Sequence, residues 1–277
     1  MRYAMKNYFV ALAFMAVLLP VACACGTPEP ARSGDGDPLP GNPGAKSYKN
    51  PVFREFLVAD PTVIRAEDGN FYLYATESGK NNIPILRSSD LVNWTKVGEV
   101  FTAENHPQIT DKAGANLWAP DINKIGDRYV LYYSQPGENN KYAIGVTSGP
   151  SPVGPFTDPG KLIGSDEIGV DISIDQFYIE EDGHKYMFWG SFRGIWVIEL
   201  ADDGLSLKPG AGKRKIAGDQ YEGTYIHKRD GYYYLIVSTG DFMKDYHVVV
   251  GRSRSLMGPY VDRAGRDMLG VHHELVV

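Results

Sequence analysis

The sequence predicts an all-β propeller, because one unit of short strands occurs four times along the chain. Each unit has a leading acid, a short apolar strand, a turn containing Asp and Gly, and an aromatic strand. Equivalent tyrosines lie 57, 57 and 47 residues apart, at Tyr72, Tyr129, Tyr186 and Tyr233. A repeat near 50 residues that is built from short strands is typical of a propeller. The apolar residues alternate with a period of two, which excludes helical solenoids.

A second recurrent segment follows each aromatic strand and completes the unit. Its copies occupy residues 83–94, 143–156, 195–200 and 248–260. Each unit is therefore predicted to be a four-stranded sheet, which is one propeller blade. The last complete unit ends near Tyr260, and we interpret residues 272–277 as the first strand of a further blade.

The composition fits one large β domain at residues 49–277. The chain has 277 residues, of which 43% are apolar and 12% aromatic, enough for a core that strands rich in Tyr, Phe and Trp would form. A net charge of −6 without a basic cluster argues against nucleic-acid or anionic membrane partners. We expect the domain to be a monomer.

Residues 1–25 are predicted to be a targeting segment. Arg2 and Lys6 form a positive start, and the apolar run at 10–21 is too short to span a bilayer stably. The small residues around Cys23 resemble a bacterial lipoprotein signal, which implies acylation of the thiol and anchoring at the outer membrane or in the periplasm. The alternative is an ordinary signal peptide that is cleaved after Ala24, which implies secretion.

Residues 26–48 are rich in Pro and Gly and cannot bury a core, so they are predicted to be a flexible linker between the targeting segment and the domain. The two cysteines, Cys23 and Cys25, lie outside the repeats, so we expect no disulfide to hold the fold.

The acids that lead the units are the candidate catalytic groups. The innermost strands of a propeller begin at one end of the central axis, so their leading residues converge on one funnel. The leaders are Asp60, Asp121, Asp175 and Glu222. Several acids in one pocket push their pKa values apart, and glycoside hydrolysis needs one protonated and one ionised carboxyl group.

A structural interpretation of these acids stays open, because aspartate is common in turns and at strand starts. The residues beside each acid differ from unit to unit while the acid itself is kept. A copied structural turn would keep its type, so this variation favours a functional interpretation.

Four motifs together look like glycoside hydrolase family 43. They are Ala59-Asp60-Pro61, Trp118-Ala119-Pro120-Asp121-Ile122, Ser173-Ile174-Asp175 and Tyr221-Glu222-Gly223. The resemblance implies a five-bladed β-propeller whose fifth blade is largely missing from this chain. It also implies cleavage of arabinose- or xylose-containing plant polysaccharides with inversion at the sugar.

The resemblance assigns roles to three of the acids. Asp60 would be the general base, Glu222 the general acid, and Asp175 the residue that raises the proton affinity of that acid and holds it in position. An inverting base and acid are expected to lie about 6.5–9.5 Å apart. Three aromatic residues near these motifs are candidate substrate contacts: Trp118, Phe192 and Tyr221.

No cofactor is required by this chemistry. Related arabinanases hold a calcium ion at the propeller axis with the help of a histidine in a fifth-blade Gly-His motif. The sequence does not match that motif before it ends, so the expected ligand lies beyond the chain and no metal ligands are predicted.

The predicted function is hydrolysis of α-L-arabinofuranosidic linkages, by an endo-1,5-α-L-arabinanase or an α-L-arabinofuranosidase. Two alternatives stay open. The protein could be a β-xylosidase of the same family, or a sugar-binding propeller that has lost catalysis.

Overall fold

The computed structural model describes residues 48–276. The predicted signal segment, Cys23 and residues 26–47 of the predicted linker lie outside the described residues. Residues 48–276 form four antiparallel sheets, each made of four consecutive strands in simple chain order. The prediction of an all-β propeller is therefore confirmed, with four blades in this part of the chain. The described residues contain no helix with the length and apolar character needed to cross a membrane.

Blades one and two are regular up-and-down sheets. The strands of blade one are β1 (Thr62–Arg65), β2 (Phe71–Tyr74), β3 (Pro84–Ser88) and β4 (Thr95–Glu99). Those of blade two are β5 (Trp118–Ile125), β6 (Arg128–Gln135), β7 (Ala143–Gly149) and β8 (Thr157–Gly164). A long irregular segment joins β4 to β5.

Blades three and four repeat the same plan. A short helix, α1 (Ser165–Ile168), leads into β9 (Phe177–Glu181), β10 (His184–Trp189), β11 (Ile195–Leu200) and β12 (Arg214–Ala217). Blade four contains β13 (Glu222–Arg229), β14 (Tyr232–Thr239), β15 (His247–Ser253) and β16 (Glu274–Leu275).

The interpretation of residues 272–277 as the first strand of a fifth blade was wrong. Glu274 and Leu275 form β16, which pairs antiparallel with β15 through Val250 and Val249. The segment is therefore the outermost strand of blade four. The segment between β15 and β16 pairs with β15 through two backbone hydrogen bonds between Arg252 and Val261. The sequence did not predict this return of the chain to β15.

Three apolar cores join the blades in pairs. Successive side chains of a strand point to opposite faces, so each blade contributes alternate residues to the core on either side. In β6, Leu131 and Tyr133 pack towards blade one, whereas Val130 and Tyr132 pack towards blade three. Among the described residues, the clusters lie between blades one and two, two and three, and three and four.

Close packing in these cores explains why β7 has glycine at position 145. Gly145 of β7 lies opposite Tyr133, and a Cβ at that position would be 2.2 Å from the tyrosine ring. Any side chain at Gly145 would therefore push Tyr133 out of a core in which it is fully buried.

The first strand of each blade lies against the first strand of the next, in the order β1, β5, β9 and β13. These innermost strands begin at the same end of the array. That end holds the predicted acids, so the fold brings together residues that are far apart in the sequence.

Candidate active site

The strand register shows which residues are equivalent at the start of each innermost strand. Thr62 pairs with Tyr74, Asp121 with Tyr132, Phe177 with Phe188 and Tyr225 with Ile236. In each blade, this is the pair that lies closest to the start of the innermost strand within the uninterrupted register. The four equivalent segments are therefore 59–62, 118–121, 174–177 and 222–225.

The second residue of each segment has a left-handed backbone. The φ values are 48° at Asp60, 42° at Ala119, 58° at Asp175 and 65° at Gly223. This region is uncommon for residues other than glycine, and such strain clusters at functional sites. The repeated conformation turns the chain sharply at the axis, where it enters each innermost strand.

This register shows that two of the four predicted leading acids do not occupy the same strand position as the others. Asp60 and Asp175 are equivalent to each other, but Glu222 lies one position earlier and Asp121 two positions later. The Asp121 carboxylate is buried and accepts hydrogen bonds from the Tyr178 amide at 2.7 Å and from the Asn123 side chain at 3.0 Å. Burial raises the pKa of Asp121 to about 6, and its contacts link blade two to blade three.

Successive blades are connected at this end by a recurring hydrogen bond. The Ala119 amide donates to the Thr76 hydroxyl at 2.9 Å, and the Asp175 amide donates to the Ser134 hydroxyl at 3.1 Å. In each case the donor is the left-handed residue, and the acceptor lies at the end of the second strand of the preceding blade. The same contact thus positions blade two on blade one and blade three on blade two.

The third interface departs from this pattern. The position equivalent to Thr76 and Ser134 is Gly190, whose φ is 138° and whose absent Cβ would lie 2.0 Å from the Gly194 oxygen. Gly190 offers no hydroxyl. The Gly223 amide instead donates to the Asp175 carboxyl group at 3.3 Å, so an acidic side chain of the site takes the structural role of the hydroxyl.

A glutamine anchors the segment that carries Asp175. Gln176 is buried, its side-chain oxygen accepts the Ser134 hydroxyl at 2.7 Å, and its amide group donates to the Ala119 carbonyl. The Ser134 hydroxyl therefore accepts a hydrogen bond from the Asp175 amide and donates one to the Gln176 side chain. The glutamine thus fixes this turn through hydrogen bonds.

Asp175 lies close to both other predicted catalytic acids. Burial, together with the charges of Glu222 and Asp60, raises the pKa of Asp175 from its ordinary value of 3.8 to about 8. Asp60 is exposed, and its carboxylate accepts the Thr76 hydroxyl at 2.6 Å. The three predicted acids thus form one carboxyl cluster that spans blades one, three and four.

Both carboxylate oxygens of Glu222 accept hydrogen bonds from hydroxyl groups. Ser191 donates to Oε2 at 2.6 Å, and Tyr246 donates to Oε1 at 2.8 Å. Neither residue was predicted from the sequence. Ser191 follows the blade-three strand β10, and Tyr246 precedes the blade-four strand β15, so no local motif links them to Glu222.

The aromatic candidates have different environments. Trp118 is half-buried and occupies the position equivalent to Glu222, with its ring 6.5 Å from that of Tyr142. Phe192 is half-buried, directly follows Ser191, and donates its amide to the Tyr221 carbonyl at 3.0 Å. Both aromatic residues therefore belong to the end of the propeller that holds the acids.

The prediction that Tyr221 contacts substrate is contradicted. Its side chain is fully buried in the core between blades three and four, and its hydroxyl lies 2.9 Å from His273 Nδ1. The residue precedes Glu222 by one position, and the direction of the strand turns the two side chains to opposite sides. Tyr221 supports the strand that carries Glu222.

Residues 48–276 contain no group of three or more His, Cys, Asp or Glu side chains arranged to hold a metal ion.

A propeller with a cluster of carboxyl groups at one end of its axis has the groups that glycoside hydrolysis requires: one that retains a proton and one that is ionised. The chain belongs to glycosyl hydrolase family 43, whose family model matches residues 48–274.

Similar proteins agree with this assignment. An extracellular endo-α-(1→5)-L-arabinanase of Bacillus subtilis is 33% identical over 229 residues, which cover 77% of this chain and 70% of that protein. An extracellular exo-α-(1→5)-L-arabinofuranosidase of Cellvibrio japonicus is 33% identical over 242 residues, with 76% and 68% covered. A second endo-arabinanase of Bacillus subtilis is 27% identical, and the chain spans 55% of its length.

Solved structures show the same architecture. An endo-arabinanase from Bacillus licheniformis superposes with a TM-score of 0.70 at 28% identity, covering 83% of this chain and 82% of that one. A Cellvibrio cellulosa α-L-arabinanase complexed with arabinohexaose superposes with a TM-score of 0.67 at 31% identity, covering 79% and 78%.

We expect Asp175 to make the free energy of unfolding depend on pH. The contribution of Asp175 to the free energy of unfolding is complete below about pH 4, where its carboxyl group is protonated in the folded and in the unfolded protein. This contribution is lost as pH rises through the folded pKa of about 8. The Asp175→Asn variant should lack this slope, which is at most about 1.4 kcal/mol per pH unit for one proton. Urea unfolding between about pH 5 and pH 8 measures it.

The matched control is Asp171→Asn, because Asp171 is an exposed aspartate in the same segment. This variant should retain the pH slope of the unchanged protein. An Asp175→Asn variant with the same slope as the control would contradict the raised pKa.

Proposed function

We propose that this protein is an inverting glycoside hydrolase that cleaves α-L-arabinofuranosidic linkages in plant cell-wall polysaccharide. The observation that carries the proposal is the carboxyl cluster, in which the charges of Glu222 and Asp60 help to raise the pKa of Asp175. The substrate class is supported by the arabinan-cleaving activities in the names of the relatives. The action is that of an endo-1,5-α-L-arabinanase or of an α-L-arabinofuranosidase.

Asp60 acts as the general base. Its carboxylate is exposed, so water can reach it, and the bond from Thr76 fixes its orientation. It removes a proton from a water molecule as the oxygen of that water attacks the anomeric carbon. We expect its carboxyl group to lie about 6.5–9.5 Å from that of Glu222, which leaves room for the water.

Glu222 acts as the general acid, and Asp175 supports it. A cluster of neighbouring carboxyl groups cannot all be ionised at low cost, so it retains a proton at neutral pH. Burial is the largest cause of the raised pKa of Asp175, and the charges of Glu222 and Asp60 raise it further. The proton that the cluster retains is delivered through Glu222 to the glycosidic oxygen, and the bond from Gly223 to Asp175 holds the two acids together.

Trp118 and Phe192 provide apolar surfaces for the sugar. Trp118 occupies the strand position of Glu222, and Phe192 follows the serine that binds Glu222. Aromatic rings at such positions stack on the apolar faces of sugars, which orients the scissile bond towards the acids.

The test is turnover of debranched arabinan, arabinoxylan, and aryl arabinofuranosides and xylosides, with product analysis by chromatography. We expect arabinan to be cleaved, and Glu222→Gln to lower kcat by about 10²–10⁴-fold while substrate binding is retained. Oligosaccharide products would indicate endo action, whereas arabinose alone would indicate exo action. Proton NMR of the first product should show inversion at the anomeric carbon.

The control variant is Glu67→Gln, because Glu67 is 84% exposed and pairs only loosely with Lys124 at 3.4 Å. Its turnover should equal that of the unchanged protein. Turnover confined to xylosides would favour the β-xylosidase alternative. Glycan affinity without turnover, both before and after the Glu222 substitution, would identify an inactive sugar-binding propeller.

We propose further that the complete propeller has five blades. Three inter-blade cores join the four blades described, and Val63 of blade one and Tyr225 of blade four are 45% and 51% exposed. A fifth blade between blades four and one would bury such residues. Hydroxyl-radical footprinting of the native protein should find Tyr225 protected, and strong labelling of this residue would contradict the fifth blade.

Export is supported by the extracellular relatives, and we propose lipid anchoring through Cys23. The acyl chain would hold the enzyme at the cell surface or in the periplasm, where polysaccharide fragments arrive. Cells given labelled palmitate should incorporate it into the unchanged protein but not into the Cys23→Ser variant. Equal labelling of both proteins, or of neither, would refute the anchor.

A further inference from the structure

Tyr246 lies at the end of the propeller that holds the acids, and it is not one of the three proposed catalytic acids. It ends the loop that joins β14 to β15, and its phenol donates a 2.8 Å hydrogen bond to Glu222 Oε1. The other oxygen, Oε2, accepts a bond from Ser191. The carboxyl group is therefore held by one hydroxyl from blade three and one from blade four.

The two hydroxyl donors lie in different environments. Ser191 is 4% exposed, whereas Tyr246 is 42% exposed. The Oε2 atom of Glu222 therefore faces the interior, and Oε1 faces the open side of the site. A sugar can approach only from the open side, so Oε1 is the oxygen that meets the glycosidic oxygen.

We propose that Tyr246 is a positioning residue that orients Glu222 for proton delivery through Oε1. The inference rests on the proposed function, since it assigns Tyr246 to the acid step of that reaction. A protonated carboxyl oxygen keeps an acceptor site, so Oε1 can carry the proton and still accept the bond from Tyr246.

The hydrogen bond becomes stronger as the reaction proceeds. The proton moves from Oε1 to the glycosidic oxygen as the bond from that oxygen to the anomeric carbon breaks, and its electron pair stays on the departing oxygen. Glu222 thereby becomes a carboxylate, while Asp60 accepts the proton of the attacking water. Hydrogen bonds to a charged acceptor are about twice as strong as those between neutral groups, so Tyr246 stabilises the transition state more than the ground state.

The loop that carries Tyr246 is closed by hydrogen bonds between its own residues. The Asp241 carbonyl accepts the amides of Lys244 and Asp245 at 2.8 and 3.0 Å, and the Asp245 carboxylate accepts the Asp241 amide at 2.7 Å. Thr239 and His247 close the loop as a strand pair.

The phenol of Tyr246 is also kept in its donor form. Burial, with the neighbouring Glu222, raises the pKa of Tyr246 above its ordinary value of 10. It therefore remains protonated at any pH at which the acid functions.

The test compares two leaving groups. A sugar leaving group needs protonation, whereas a dinitrophenolate leaves without it, so loss of an acid-step residue affects the first and spares the second. We expect Tyr246→Phe to lower kcat on arabino-oligosaccharides by about 10–100-fold, as for a lost bond to a charged group, and on a dinitrophenyl glycoside of the same oligosaccharide by less than about 3-fold.

The control variant is Tyr234→Phe, which removes the hydroxyl of a blade-four tyrosine that lies four residues along β14 from Ser238, the strand partner of Glu222. It should leave both rates unchanged, and thermal unfolding should show that both variants fold. An equal loss on the two substrates, or no loss on the oligosaccharide, would overturn the role of Tyr246. If the unchanged protein cleaves neither substrate, the proposed function fails, and this inference fails with it.

Discussion

The structure depends on one recurring hydrogen bond between blades, donated by the amide of a left-handed residue to a hydroxyl of the preceding blade. Ala119 donates to Thr76, and Asp175 donates to Ser134. The contact fixes both the sharp turn into each innermost strand and the placement of that strand on its neighbour. Since each unsatisfied buried amide would cost about 1–3 kcal/mol, the pairing is needed for blades to meet closely at the axis.

The acidic centre arises where this pattern changes. Gly190 lacks the hydroxyl, so the Gly223 amide donates to the Asp175 carboxyl group. That contact brings Asp175 against the blade-four strand that begins with Glu222. The resulting burial and charge repulsion raise the pKa of Asp175 to about 8. A structural connection between blades thus has a consequence for proton affinity, which the proposed mechanism uses.

The repeated units could be read from the sequence because they depend on local patterning. Period-two alternation and Asp-Gly turns predict strands and hairpins, and four copies near 50 residues predict blades. The family motifs identified Asp60, Asp175 and Glu222, which the structure brings into one cluster. The same local pattern was misleading for Asp121, because a leading acid looks alike whether it faces the axis or the adjacent blade. For Tyr221, proximity to Glu222 in sequence suggested a shared site, but adjacent strand residues face opposite ways.

By itself, the sequence determined most of the strands and their grouping into blades, because these follow from neighbours within a few positions. Only the tertiary structure decided which leaders meet, since a one-residue shift at the start of β13 separates Glu222 from the position of Asp60 and Asp175. It also decided the partners Ser191 and Tyr246, which reach Glu222 from two blades. Such contacts depend on how whole sheets pack, and no short stretch of chain encodes that.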